Sequence, residues 1–281
     1  MTALRALTWN IQYGLGMDGR VDLKRIVEYA MDIADPDILC FQEVSANMPS
    51  LERTDGCDQF AALADLLPRH QAIVGAALEI FDPTGAPRRF GNVVFSRYPV
   101  AQVLRHTLPW IPGGERNMPR GMIEATVMSP FGAVRIMTTH LEYFSADSRS
   151  VQVDAIRQIH AAACARSTFP VNDGSGPYEP TPRPGATLLL GDFNMRPDDP
   201  LKARLSQATG PHVSRLLDAW SFRYGDDPHP PSFCITDQTY GLPHCCDFVF
   251  ASEELATRIH DITYDGDVRF SDHQPVSISL R

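Results

Sequence analysis

Apolar and polar residues alternate from Leu4 to Asn10, the period of a half-buried strand. From Leu23 to Ile33 the period changes. Leu23, Ile26, Val27, Ala30 and Ile33 fall on one face, which predicts an amphipathic helix. The apolar run "PDILCFQEV" predicts a short buried strand over Asp37–Glu43. A helix is expected over Cys57–Leu67, stopped by Pro68. Strands are expected at Gln71–Ile80, Asn92–Ser96 and Val100–Thr107. Two more, Gly121–Met128 and Ala133–His140, are joined by the turn "SPFG".

The clearest helical pattern is Asp147–Ala165, with Val151, Ala155, Ile159 and Ala162 on one face. Asp147 and Ser148 sit where a helix start favours them. Periodicity then stops. Residues 167–185 are rich in Pro, Gly and Ser, which fits a solvated loop or a loop that shapes a substrate mouth. Leu188–Asp192, Cys246–Ala251 and Pro275–Leu280 supply the late strands. Many strands and few long helices predict an α/β domain over residues 1–281, with two packed sheets and helices outside.

Polar residues close or open these strands at recurrent points. Asn10 ends "ALTWN", Glu43 ends "ILCFQE", and His140 ends "RIMTTH". Asp192 and Asn194 end "LLLGDFN", Asp247 opens "DFVF", and Asp272 and His273 precede "PVSISL". Strand ends are rigid points at which distant side chains can be gathered. Oxygen donors with few histidines suit a hard cation, Mg²⁺ or Mn²⁺, better than zinc. In an extended segment Asp192 and Asn194 would face the same side. The carboxylate can take a proton from water, and the carboxamide can hold that water or a phosphate oxygen. The alternative is an Asx-type turn that merely caps the loop. His140 taken alone reads better as a satisfied core histidine.

Composition narrows the partners. The chain carries a formal charge of −9 over 281 residues, which disfavours a long polyanion as substrate. Lys24 and Lys202 are the only lysines, so a phosphate clamp would use the planar fork of arginine. The six cysteines form no C-x-x-C pair or zinc spacing. They are expected as reduced thiols, and a cytoplasmic location without membrane insertion is the simplest expectation.

The motifs "LTWNIQ", "FQEV", "GNVVFSRYP", "TTHLE", "GDFN", "CDFVF" and "SDHQP" occur in this order. Together they resemble the endonuclease/exonuclease/phosphatase superfamily across almost the whole chain. The resemblance implies a four-layer α/β sandwich around two central, mostly antiparallel sheets. It also implies hydrolysis of a phosphoester with a divalent metal. On that basis Asn10, Glu43 and Asp272 would hold the metal. Asp192, helped by Asn194, would activate water. His140 and His273 would contact the phosphate, and Asp247 would keep His273 protonated. Arg120 would contact phosphate, with Arg116 as its alternative. Asn92 would shape the site or only a turn, and Trp110 would stack on an organic group or plug the core edge. Arg149 and Gln152 would brace the loop after "TTHLE". Cys245 and Cys246 stand where related sequences often carry Arg-Ile, and read as packing residues. A small phosphoester or lipid head group is the favoured substrate. DNA or RNA, and a non-catalytic binding module of the same fold, are the alternatives.

Overall fold

A computed structural model describes residues 3–113, 116–170 and 172–281. The chain opens with β1 (Leu4–Asn10), α1 (Leu23–Ala34), β2 (Ile38–Ala46), α2 (Gln59–Leu66), β3 (Gln71–Phe81) and β4 (Pro87–Ser96). It continues with β5 (Val100–Leu108), β6 (Arg120–Ser129), β7 (Gly132–His140), α3 (Ala146–Thr168), β8 (Thr187–Asp192), α4 (Pro200–Ser206), β9 (Leu216–Asp218) and α5 (Ala219–Tyr224). It closes with β10 (Asp247–Ser252), α6 (Glu253–Ala256), β11 (Ile259–Tyr264) and β12 (Val276–Leu280).

The strands form two six-stranded sheets, ordered β11-β12-β1-β2-β4-β3 and β5-β6-β7-β8-β10-β9. Each sheet contains one parallel pair, β1–β2 in the first and β7–β8 in the second, and is otherwise antiparallel. A parallel pair needs a long crossover, and α1 and α3 provide it. Leu7, Trp9, Leu39 and Phe41 pack with Ile26, Val27, Phe60 and Leu63, so α1 and α2 cover one side of the first sheet. Leu4, Ala6, Ile38 and Val94 belong instead to a core shared with Ile136, Leu190 and Val249 of the second sheet. The alternation seen in the sequence is thus the two faces of β1. The result is the expected α/β sandwich of two central sheets flanked by helices.

Both parallel pairs deliver polar residues at their C-terminal ends. Asn10 lies at the end of β1, Glu43 within β2, His140 at the end of β7 and Asp192 at the end of β8. Strand β10 runs antiparallel to β8 with Asp247 opposite Asp192, so it starts at the same end. Gly191 is required here. Its φ is 148°, and a Cβ would stand 2.0 Å from the Thr139 carbonyl oxygen of the neighbouring strand.

Some bounds differ from the sequence-based expectations. The strand expected to end at Glu43 runs on to Ala46, because a bulge between Phe41 and Val44 absorbs Glu43. The helix α3 continues to Thr168. The loop that follows is strapped to the second sheet. Arg183 donates to both oxygens of Glu124 on β6, at 2.8 and 2.9 Å, and Gln102 on β5 donates to Thr181 at 2.7 Å. None of its described residues lines the cavity presented below, so the substrate-mouth alternative loses its footing. No helix among the described residues is long and apolar enough to cross a membrane.

Candidate active site

The strand ends meet at a cavity of about 270 Å³. Glu43, Arg120, His140, Asp192, Asn194, Asp272 and His273 all line it. Asp192 is the centre of the polar floor. Its Oδ2 accepts from Asn10 Nδ2 at 3.0 Å and lies 3.4 Å from His140 Nε2 and 3.7 Å from His273 Nε2. Its Oδ1 accepts the Asn194 backbone N–H at 2.9 Å. Asn194 has φ 49° and donates its Nδ2 to Leu141 O at 2.9 Å. The expectation that Asp192 and Asn194 share a face because the strand stays extended is therefore corrected. The Asx turn forms, and it is this turn that fixes Asp192 and brings Asn194 to the cavity.

Asn10 donates from the same amide nitrogen to Glu43 Oε1 at 3.1 Å, while its oxygen accepts Gln12 N–H. Its nitrogen, not its oxygen, thus faces the carboxylates. Glu43 has φ 59°, a left-handed conformation that is uncommon for a non-glycine residue. The last segment is tied to β1 by Trp9 Nε1, which donates to His273 O at 2.9 Å, and by Ser271 Oγ, which donates to Asn10 O at 2.7 Å. These bonds carry Asp272 and His273 to the end of β1.

Burial and charge set the protonation states. Burial, then the neighbouring Asp272, pushes the Glu43 carboxyl up to about 7. Burial raises Asp192 to about 6, against the pull of the His273 charge. Asp272 is raised by burial as well. The two histidines diverge. Burial, helped by the Arg120 and His273 charges, drives His140 well below the usual range. Burial also opposes charge on His273, but Asp247 and Asp192 outweigh it and lift its pKa well above the usual range. His273 Nδ1 donates to Asp247 Oδ2 at 2.9 Å. Ser232, which the sequence motifs did not single out, donates to that same oxygen at 2.6 Å.

Arg120 is buried, with Nε donating to Glu142 at 3.3 Å. Its Nη1 is buried without a partner among the described residues. Asn92 is buried beside it and lines a small adjoining recess with Met118 and His140. Trp110 does not join the site: it is exposed and absent from the cavity wall. Arg116 lies over the Phe144 ring at 5.5 Å. Gln152 accepts from Glu142 N–H and donates to Pro109 O, and Arg149 donates to the carbonyls of Glu142 and Tyr143, so both brace the loop after β7. Sequence reasoning missed the apolar side of the cavity, formed by Phe90, Met118, Tyr143, Phe144, Phe233 and Tyr240. Only "EYFS", beside a motif histidine, gave a local hint.

The carboxylates fit a divalent cation. Glu43 and Asp272 are both acidic, each pushed up by burial, and Asp272 further raises Glu43. Half-buried like charges that share a cavity wall call for a counter-cation. A second grouping, Asp192, Cys246 and His273, has one donor atom from each within 4.8 Å of the others. There burial and Asp247 push the Cys246 thiol well above its usual range, and its Sγ lies 3.8 Å from His273 Nδ1.

Residues 7–273 match the profile of the Endonuclease/Exonuclease/phosphatase family. The chain belongs to that family, whose members hydrolyse phosphoesters. Solved structures share the fold. An endonuclease/exonuclease/phosphatase from Beutenbergia cavernae DSM 12333 is 24% identical, with TM-score 0.70 over 100% of this chain and 72% of that one. A mannosyl-6-phosphatase of Bacteroides thetaiotaomicron VPI-5482 is 15% identical, with TM-score 0.66 over 99% of both chains. The human Nocturnin catalytic domain with bound sulfate is 16% identical, with TM-score 0.63 over 100% of this chain and 93% of that one. No curated protein matches the sequence.

Proposed function

We propose that the protein is a divalent-metal-dependent phosphoesterase acting on a small or mid-sized phosphoester. The observation that carries this reading is the surrounding of Asp192. One buried carboxylate, raised to about 6, stands within 3.7 Å of two histidines of opposite protonation preference and opens onto a cavity. That is a poised base beside a fixed cation.

Asp192 takes the proton of the attacking water. The Asn194 turn and the Asn10 amide hold its two oxygens in place. His273, kept charged by Asp247, donates Nε2–H to a non-bridging phosphate oxygen as negative charge builds. Arg120 offers its free Nη1 to the same group. His140 stays neutral and donates one N–H without adding charge. Glu43 and Asp272 would hold Mg²⁺ or Mn²⁺, which supplies Lewis-acid stabilisation of the phosphoryl oxygens. Asn10 joins them as an oxygen ligand only by turning its amide over.

The test is hydrolysis of bis(p-nitrophenyl) phosphate and p-nitrophenyl phosphate with Mg²⁺, with Mn²⁺ and with chelator, alongside Asp192→Asn. Cleavage that needs metal and disappears in the variant is the expected result. Cleavage that survives in Asp192→Asn sinks the assignment. Faster cleavage of DNA or RNA than of either ester would transfer it to a nuclease.

A further inference from the structure

The polar floor accounts for the phosphate. The apolar side of the cavity has no part in that chemistry, yet it is ordered. Phe233 lies over the His273 imidazole, with ring centres 4.4 Å apart at 27°. Tyr240 continues the stack, 6.3 Å from Phe233 at 23°. Tyr143 meets Tyr240 edge-on at 6.1 Å and 83°, and Phe144 meets Tyr143 at 5.0 Å and 89°. Four rings thus run from the catalytic imidazole to the rim.

The outer rings stay open to solvent. Tyr143 is 37% exposed, Phe144 49% and Tyr240 60%. Contiguous exposed aromatics beside a buried charged floor mark a surface that awaits a partner. Their backbone is held ready. Arg149 donates to the Tyr143 carbonyl, Phe144 N–H donates to Glu142 Oε1, and Gly241 N–H donates to Gln238 O. Preorganised rings lose little entropy when a ligand arrives.

We propose that Tyr143, Phe144 and Tyr240 bind a planar aromatic ring carried by the substrate next to its phosphate, so that ring-bearing phosphoesters are the preferred class. The proposal rests on the phosphoesterase reading and names the substrate class of the same site. Rings set at right angles present both faces and edges. A flat ring gains from that geometry beyond the apolar area it covers, whereas an aliphatic group gains from area alone. The cavity of about 270 Å³ sits just below the range of pockets that enclose drug-sized ligands, which suits a phosphate and a single ring system. Polyanions are discouraged by the charge of −9.

The experiment compares equilibrium binding of phenylphosphonate, cyclohexylphosphonate and methylphosphonate in the presence of Mg²⁺, with inorganic phosphate as competitor. Phenylphosphonate is expected to bind about 3- to 10-fold tighter than cyclohexylphosphonate. Tyr240→Leu is expected to erase that ratio and Tyr240→Phe to keep it. No measurable binding of phenylphosphonate, equal binding of the two ring compounds, or a ratio that survives Tyr240→Leu combined with Tyr143→Leu overturns the proposal. A parallel assay uses methyl and phenyl p-nitrophenyl phosphate, which share a leaving group. Ring preference in binding with no hydrolysis of either diester keeps the wall and removes the phosphoesterase. Hydrolysis of both with equal phosphonate binding does the reverse.

Discussion

His273 gives its Nδ1 hydrogen to Asp247 across 2.9 Å, and its Nε2 then faces Asp192 at 3.7 Å. A charged imidazole held in this way has one free donor, and that donor is aimed at the cavity. Asp247→Asn removes the largest influence favouring charge on His273. The folded-state pKa of His273 is raised, so its charge persists above the ordinary range and is lost as pH rises through that pKa. In the variant the loss comes at lower pH. The alkaline limb of kcat is expected to move down, with kcat reduced on the order of 10²-fold at neutral pH. Coincident pH profiles for the two proteins would exclude this role.

Asp192→Asn keeps the shape of the site and removes the base. Turnover is expected to fall on the order of 10³- to 10⁴-fold. Metal binding, followed by calorimetric titration, is expected to persist because Glu43 and Asp272 are untouched. A variant that neither binds metal nor turns over would mean that Asp192 serves the ion and not the water.

If Glu43 holds the metal as proposed, metal and protons compete for it. Its pKa of about 7 is above the unfolded value, so protonation favours the folded, metal-free state below that pH. This contribution is complete below the unfolded carboxylate pKa and is lost as pH rises through about 7. A divalent cation supplies the missing positive charge at the alkaline end. The rise in Tm on adding Mg²⁺ or Mn²⁺ is expected to be larger at pH 8 than at pH 5.5, by about 3 °C. In Glu43→Gln the metal titration should weaken, and the pH dependence of the Tm gain should flatten. A Tm gain independent of pH in the parent protein would refute the assignment.

Gly191→Ala tests the join between β7 and β8. A Cβ 2.0 Å from Thr139 O, on a backbone at φ 148°, forces the strands apart. Destabilisation of about 3 kcal/mol or more is expected from the denaturant midpoint. A loss below about 1 kcal/mol would show that the strand end yields easily.

Much of this was legible in the sequence because the chemistry sits at strand ends. Asn10, His140 and Asp192 each close a recognisable apolar run, and the order of the motifs carried Asp247 and His273. Glu43 was legible as a residue but not as a conformation, since a bulge depends on the partner strand β4. The edge strands β9 and β11 escaped notice. The first has three residues, and the second has six, of which only Ile262 and Tyr264 are buried. The aromatic wall was hidden for another reason. Tyr143 follows β7, whereas Phe233 and Tyr240 lie on the connection between α5 and β10, and only the folded chain makes them neighbours.

Each sheet contributes one parallel pair, and Asp192 stands on one sheet while Glu43 stands on the other. Asn10 bridges both carboxylates through single hydrogen bonds of 3.0 and 3.1 Å, and His140 lies 3.4 Å from Asp192 and 4.0 Å from Glu43. In the proposed mechanism, activity is therefore a gauge of alignment between two slabs. A slip shorter than one bond length would part the base from the metal site while every helix and strand stayed intact. In mild denaturant, activity should vanish before circular dichroism changes.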